Sequence, residues 1–212
     1  MYREDLFPIV GPRLSSQNHI MSANPVLLVH GIWDTGAKFG SLRRGLERAG
    51  RGSVETIDLL PNDGRASILE LASQVERKVR HIHCERIDIV GFSMGALVTR
   101  TYLQRLGGKE RVRRFISISG PHHGTVTAFA LPHIGARDMR PGSRLLTELA
   151  ADPDPFGEVE VHVMYTPFDL MIMPATSSRI PSARSETCLP IPLHRWMIED
   201  RRAIQRVVEL LT

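Results

Sequence analysis

The sequence feature that most constrains this chain is the segment 91–95, which reads Gly-Phe-Ser-Met-Gly. It follows the apolar run 87–90 and precedes a helix-forming stretch that begins at Ala96. A strand, a Gly-x-Ser-x-Gly turn and a helix in this order predict a nucleophile elbow, in which the serine is strained and its hydroxyl exposed. The structural alternative is a Gly-rich turn whose serine only caps the next helix. The two readings differ in whether the chain also carries the groups that a nucleophilic serine needs.

Strand-like and helix-like segments alternate along the chain. Six apolar runs predict strands, at 26–30, 53–59, 87–90, 112–119, 159–165 and, more weakly, 187–191. Helical spacing of apolar residues predicts helices at 38–49, 68–81, 96–106, 144–150 and 200–211. The alternation predicts an α/β fold with about six mainly parallel strands and helices on both faces.

Length and composition fit one soluble globular domain. The chain has 212 residues, of which 42% are hydrophobic, and a net charge of +4. Its arginines are scattered, which favours an ordinary solvated surface over a nucleic-acid interface. We predict that residues 1–22 are a flexible N-terminal extension and that residues 23–212 form the domain. Without a recognisable signal peptide or an apolar run of ~20 residues, a cytoplasmic location is expected.

Cysteine usage indicates neither a disulfide framework nor a metal site. The two cysteines, Cys84 and Cys188, fall in elements that should lie far apart in the predicted fold. We expect both to be free thiols, and their spacing matches no metal-binding motif. The sequence calls for no metal and no cofactor.

A serine hydroxyl becomes an effective nucleophile only beside a base that an acid holds in place. Around an elbow of this type the acid and then the base follow the serine along the chain, at the ends of later strands. Of the 9 histidines, only His194 lies beyond the last two predicted strands. We therefore predict that His194 is the general base and acid, against the alternative of a histidine in a surface loop.

The acid is expected after the predicted strand 159–165. Asp169 lies there in a mostly apolar segment. A carboxylate in such surroundings is uncommon unless it has a partner, which suits a residue that stabilises an imidazolium. Asp152 precedes the strand, and Asp200 is better placed as a charge at the start of the last helix. Asp169 is therefore the predicted acid.

Acyl transfer also requires hydrogen-bond donors that face the developing oxyanion. The backbone N–H of Met94, directly after the serine, is one predicted donor. The N–H of Ile32 is the other, because Gly31 before it lets the loop after the first strand approach closely. We interpret the side chain of His30 in this loop as structural rather than catalytic.

A second pair of histidines, His122 and His123, follows the predicted strand 112–119. Both precede Asp169, so the expected chain order argues against a catalytic role. We interpret their loop as one that supports or borders the site, in preference to a catalytic or metal-binding loop.

Taken together, these motifs resemble those of bacterial lipases with the α/β-hydrolase fold, of the small type without a lid. The similarity spans about 26–211, with matches at 30–32 for the oxyanion loop, 91–95 for the elbow, 165–172 for the acid loop and 181–194 for the approach to the histidine. The resemblance implies a minimal α/β-hydrolase domain with no lid domain. It also implies Ser93 as nucleophile, Asp169 as acid and His194 as base, with Ile32 and Met94 as oxyanion donors.

The chain departs from that family at two points. Phe92 stands where many such lipases carry a histidine, which changes the wall beside the nucleophile and leaves the triad intact. The segment between the strands 112–119 and 159–165 is also too short for a full lid domain. This brevity argues against strong interfacial activation.

Apolar residues cluster around the predicted site, namely Trp33, Phe92, Met94, Leu131, Met171, Ile172 and Met173. We predict that Trp33, Phe92 and Met171 face substrate in an acyl pocket, while about half of the cluster is ordinary core.

The predicted activity is hydrolysis of carboxylic, lipid-type esters through an acyl-enzyme. The predicted partners are a small-molecule ester or lipid and, transiently, a membrane or lipid surface, with no nucleic acid. Two alternatives stay open, an acyltransferase or thioesterase that uses the same triad and a non-catalytic binding protein that keeps the fold.

Overall fold

A single parallel sheet organises the molecule. The structure, a computed structural model, describes residues 24–212. The sheet has six strands in the order β2–β1–β3–β4–β5–β6, and every neighbouring pair is parallel. The strands are β1 (Val26–Val29), β2 (Val54–Ile57), β3 (Ile87–Phe92), β4 (Val112–Ile118), β5 (Glu160–Tyr165) and β6 (Ser185–Cys188). The predicted extension, residues 1–22, lies outside the described residues.

Helices occupy the connections between the strands. They are α1 (Gly40–Arg48), α2 (Ile68–Arg80), α3 (Met94–Arg105), α4 (Ile134–Asp138), α5 (Arg144–Ala150) and α6 (Arg201–Leu211). Short 3₁₀ helices lie at Gly36–Phe39, Gly108–Glu110, Val126–Ala130, Ala175–Ser178 and His194–Ile198. None of the helices within residues 24–212 combines the length and the apolar character needed to cross a membrane.

Both faces of the sheet are covered, which explains why its strands are apolar along their whole length. On one face α2 and α3 pack beside each other over β1 and β3. On the other face α1 packs against α6, over residues that alternate with the first set along the same strands. β1 illustrates this alternation, since Leu27 and Val29 belong to one core and Val26 and Leu28 to the other.

The observed elements agree with the predicted alternation of strands and helices. The predicted helix 68–81 is α2, and a capping box between Ser67 and Glu70 begins it. The predicted helix 144–150 is found at the same residues as α5. Cys84 and Cys188 are free thiols, as expected.

The last strand is the main correction to the predicted elements. We predicted a strand at 187–191, but β6 runs from Ser185 to Cys188. Pro190 and Pro192 cannot donate ladder hydrogen bonds, so the chain leaves the sheet before them. Ile191 is fully buried, yet it packs in the core that faces α6 instead of pairing in the sheet. No helix was predicted at α4, because its five residues are too few to show helical periodicity.

Candidate active site

Ser93 lies in the sharp turn between β3 and α3. β3 ends at Phe92, α3 begins at Met94, and Ser93 between them has φ 55° and ψ −126°. A positive φ is uncommon for a residue with a Cβ and persists only where the surroundings enforce it. Here the turn places the Ser93 side chain at the carboxyl end of the sheet, where open parallel sheets bind their ligands.

The two glycines of the turn are there for steric reasons. A Cβ on Gly91 would lie 2.7 Å from the Cα of Ala96 in the next helix. A Cβ on Gly95 would collide with the carbonyl oxygens of Val29 and His30 at the end of β1. Because glycine has no Cβ, α3 can pack closely against β3 and against the end of β1. This close packing holds Ser93 in its strained conformation.

His194 and Asp169 form a hydrogen-bonded pair beside this turn. Nδ1 of His194 lies 2.7 Å from Oδ2 of Asp169. Because a carboxylate only accepts, Nδ1 carries the proton and Nε2 of the neutral ring is left as an acceptor. The other Asp169 oxygen accepts the backbone N–H groups of Met171 and Ile172, at 2.9 and 2.8 Å. The carboxylate is thus buried, oriented and multiply bonded.

Two buried threonines hold the loops that carry this pair. Thr166, just after β5, donates its hydroxyl to the carbonyl of Ile191, 2.6 Å away and three residues before His194. The hydroxyl of Thr125, in the loop after β4, accepts the N–H of Met173 at 2.9 Å and lies 2.9 Å from the carbonyl of Met171. Neither threonine was predicted to have a role of its own, because only the folded chain brings their partners near.

Phe92 packs against the imidazole of His194. The two ring centroids are 4.8 Å apart at an interplanar angle of 35°. Phe92 is almost fully buried and also borders the cavity in front of Ser93. The residue at which this chain departs from many lipases therefore supports the histidine as well as lining the site.

The predicted oxyanion donors flank the serine. Gly31 adjoins it so closely that a Cβ at position 31 would lie 3.0 Å from the Cβ of Ser93. The N–H of Met94 belongs to the first turn of α3, where helix amides have no partner within the helix. Among the described residues, neither the Ile32 nor the Met94 N–H donates to a protein acceptor. Both are therefore free to bind an oxyanion.

The remaining histidines near the site have structural surroundings. Nε2 of the fully buried His30 accepts the N–H of Leu59 at 2.9 Å, in keeping with the structural interpretation of this residue. His122 is also buried, with Nε2 2.7 Å from the hydroxyl of Ser117. Burial, with help from the charge of Arg100, holds the pKa of His122 well below its usual range. In the described part of the chain, no three His, Cys, Asp or Glu side chains converge as metal ligands would.

Two apolar cavities meet at Ser93. The first, of about 370 Å³, has Phe92, Phe168, Leu170, Leu193 and His194 in its walls. The second, of about 220 Å³, contains Met94, Leu131, Met139 and Ile172. Both are also lined by Ile32, Trp33, Ser93 and Met171. The structure therefore brings every predicted site residue to this junction, with Asp169 behind His194.

Chemically, the site combines the hydroxyl of Ser93 on a strained backbone with the neutral imidazole of His194, which a carboxylate orients. Two N–H groups without a partner among the described residues lie beside them, between apolar walls. The described residues form no direct hydrogen bond between Ser93 and His194, and such bonds often tighten only when substrate is bound.

Comparisons with known proteins extend the sequence resemblance. The model of a family described as palmitoyl protein thioesterase matches residues 25–191. A triacylglycerol lipase of Pseudomonas fragi is 29% identical over 109 residues, which is 49% of this chain and 36% of that protein. The lysosomal thioesterase PPT2 of Mus musculus is 32% identical over 113 residues, 50% of this chain and 36% of that protein. The match thus spans little more than a third of each of these relatives.

Solved structures confirm the predicted fold. Bacillus licheniformis lipase BlEst2 in its mature form superposes with a TM-score of 0.77 at 15% identity, over 91% of this chain and 93% of that one. Aspergillus fumigatus lipase B gives a TM-score of 0.76 at 17% identity, over 89% of this chain and 52% of that one. At these identities the similarity is one of fold, and the fold is the minimal α/β-hydrolase fold.

Proposed function

The chain belongs to the palmitoyl protein thioesterase family, and from this premise we propose that it is a serine hydrolase that cleaves carboxylic esters of apolar acyl groups. The observation that carries the proposal is the hydrogen bond between Asp169 and His194, because His194 borders the same apolar cavity as the strained Ser93.

In the proposed mechanism, Oγ of Ser93 attacks the ester carbonyl while Nε2 of His194 takes its proton. Asp169 stabilises the resulting imidazolium, and the Ile32 and Met94 N–H groups stabilise the negative oxygen of the tetrahedral intermediate. The intermediate collapses to an acyl-enzyme as His194 returns the proton to the leaving oxygen. A water molecule, activated by His194, then releases the carboxylic acid and restores Ser93.

The return of the proton from His194 to the leaving oxygen indicates which cavity holds the leaving group and which holds the acyl chain. The leaving oxygen must lie next to His194, so the leaving group occupies the first cavity, which His194 borders. The acyl chain then extends into the second cavity, towards Leu131 and Ile172. Because both cavities are apolar, we propose a substrate that is apolar on both sides of the carbonyl, and glycerolipid-type esters fit this description. Triacylglycerol hydrolysis is the most specific form of the proposal.

Thioester hydrolysis is the second candidate. The family match favours it, and so does the relative named as a thioesterase. The triad would act in the same way, since thiolate is a good leaving group with a thiol pKa of about 8.5. Oxygen and sulfur esters with the same acyl chain and the same leaving-group carbon skeleton separate the two activities, because only the leaving atom differs.

A chain-length series of aryl esters on the unsubstituted protein and on Ser93→Ala tests the proposal. Ser93→Ala should lose nearly all activity, about 10⁴-fold or more. Ser119→Ala is a matched control, because Ser119 is also buried, directly follows β4 and has φ 50°. Equal residual activity in the Ser93→Ala and unsubstituted proteins would reject the hydrolase. A Ser93 that fails to react with a fluorophosphonate would instead favour a non-catalytic binding protein.

We also propose that the rim of the cavities contacts a lipid surface. Exposed apolar side chains concentrate around the site, where Leu170 is 72%, Trp33 58% and Phe168 55% exposed. Leu60 is 65% exposed but lines neither cavity, which makes it a control. Leu170→Asp should weaken flotation with phosphatidylcholine vesicles more than Leu60→Asp does. Equal effects would contradict the assignment of this face.

A further inference from the structure

The turn that carries the proposed oxyanion donor has an unusual residue in it. Residues 31–34 form a turn in which the N–H of Asp34 approaches the carbonyl of Gly31, at 3.4 Å. Its third residue, Trp33, has φ 59°. Turns with a positive φ at this position normally carry glycine or asparagine there. A tryptophan is strained in this conformation, so something outside the turn must hold it.

Asn62 supplies that hold from the loop between β2 and α2. Its backbone carbonyl accepts the N–H of Trp33 at 2.7 Å. Its side-chain Nδ2 donates to the carbonyl of Asp34 at 2.6 Å. One residue therefore binds the strained peptide from two sides, and the first of these bonds fixes the peptide directly after Ile32.

The loop that carries Asn62 is itself anchored. Leu59 donates its N–H to Nε2 of His30, immediately before the turn. The backbone of Leu60 exchanges two hydrogen bonds with the side-chain amide of Gln74 in α2. Asn62 can thus act as a fixed support, because its loop is tied both to the end of β1 and to a packed helix.

We infer that Asn62 is a positioning residue for the oxyanion donor, which it maintains by holding the strained turn 31–34 in one conformation. This role rests on the proposed hydrolase function. Asn62 touches no reacting atom in this scheme. It keeps the N–H of Ile32 directed at the position where the negative oxygen develops.

The first test is Asn62→Ala, which removes the side-chain bond to Asp34. We expect kcat for an aryl ester to fall about 10-fold with KM nearly unchanged, because an oxyanion donor acts in the transition state. Asn62→Asp should be more damaging, since its carboxylate would face the carbonyl of Asp34. Asp63→Ala is the matched control, because within residues 24–212 the Asp63 side chain bonds only to Arg65. The midpoint of thermal unfolding, measured for each variant, separates this effect from a loss of structure.

A double-mutant cycle with Trp33→Gly identifies the cause. Glycine adopts φ 59° without strain, so the turn should then need less external support. We expect Asn62→Ala to lower kcat much less in the Trp33→Gly background than in the unsubstituted protein. The rate at which a neutral phosphonate modifies Ser93 should follow the same pattern, because that reaction also develops a negative oxygen.

The outcomes separate the two proposals. An unsubstituted protein without esterase or thioesterase activity defeats the proposed function. An active protein in which the two substitutions act independently, or in which Asn62→Ala raises KM alone, overturns the role of Asn62. If Asn62→Ala does not fold, Asn62→Ser, whose shorter polar side chain also lacks the Nδ2 donor, completes the same cycle.

Discussion

Two buried carboxylates lie towards opposite ends of the parallel strands, and each has a basic partner. Asp88, near the beginning of β3, is fully buried against the guanidinium of Arg51. Asp169, beyond the end of β5, is 4% exposed and is bonded to the imidazole of His194. The two pairs look similar by burial and geometry, but their partners differ in whether they can give up a proton.

The Asp88 pair serves as a structural tie. Arg51 also donates to the carbonyls of Asn24 and Leu211, and Arg114 donates to the same Leu211 carbonyl. Burial raises the pKa of Asp88 above its ordinary value, although Arg51 and Arg114 partly offset this. A guanidinium keeps its proton throughout the biological pH range. The pair can therefore hold the chain together but cannot move a proton.

The Asp169 pair differs because its base can take up and release a proton. Unlike a guanidinium, a neutral imidazole can accept a proton and then donate it. Within residues 24–212, Nε2 of His194 has no hydrogen-bond partner, and His194 borders an open cavity. A buried carboxylate with a basic partner thus becomes a candidate for catalysis when that partner can release a proton and can reach substrate. Burial alone does not distinguish the two pairs.

The largest expected difference between the pairs is in rate. Asp169→Asn should lower kcat about 10⁴-fold, because an amide no longer stabilises the imidazolium or selects the reactive tautomer. Asp88→Asn neutralises an equally buried carboxylate and should leave kcat near that of the unsubstituted protein. Steady-state kinetics on a soluble aryl ester measures both. Comparable losses in the two variants would erase the distinction.

The next effect is on stability. Arg51→Met leaves the Asp88 carboxyl buried without its principal partner and should cost about 3–5 kcal/mol of unfolding free energy at pH 8. A group whose pKa is raised on folding stabilises the protein most below its unfolded pKa, and this contribution is lost as the pH rises through the raised value. The loss caused by Arg51→Met should therefore shrink at pH 5. Urea unfolding at both pH values checks this, with the exposed Arg48→Met as control.

A smaller effect is expected where the site depends on a tether between loops. Thr166→Val removes the hydroxyl that binds the carbonyl of Ile191 and keeps the shape of the side chain. We expect kcat to fall about fivefold, since one buried hydrogen bond contributes about 1 kcal/mol. In the part of the chain that the structure describes, the Thr101 hydroxyl bonds only to the carbonyl of Leu97 within α3, so Thr101→Val should change kcat little. If both variants behave alike, the tether has no special role.

The smallest expected effect on catalysis is that of replacing His122. Because its pKa lies well below 6.5, His122 is neutral at pH 7, and its neutral form stabilises the folded protein. This contribution is present above pH 6.5 and is lost as the pH falls through the lowered pKa. His122→Gln should therefore destabilise the protein less at pH 5 than at pH 8, with the acidic limb of the kcat/KM profile unmoved. Thermal unfolding and kinetics across this range measure both, and a shifted limb would give His122 a part in the chemistry.

The contrast between the Asp88 and Asp169 pairs also shows what the sequence could predict. The strands and helices that form the sheet follow from apolar runs and periodicity, and the order of Ser93, Asp169 and His194 limited the choice of site residues. The structure brings these three residues to one place, and their catalytic roles stay a prediction. β6 was misplaced because the apolar Leu189 and Ile191 pack against helices, and periodicity cannot distinguish such residues from a strand.

The supporting residues could not have been predicted. Thr166 and Ile191 are 25 positions apart, and so are Asp169 and His194, yet only the latter pair has residue types that point to each other. Both hydrogen bonds between Asn62 and the turn 31–34 involve a backbone carbonyl, that of Asn62 in one and that of Asp34 in the other, and backbone partners leave no mark in the sequence. The strain at Trp33 becomes visible only as a dihedral angle.

The surroundings of α3 have one further consequence. Residues 94–103 of this helix are all buried, so the helix that follows Ser93 presents no exposed side at which it could unfold locally. Its amide hydrogens should exchange with solvent only when the whole domain opens. The nucleophile therefore has no local melting transition of its own, and heating should abolish the proposed activity and the fold at one temperature.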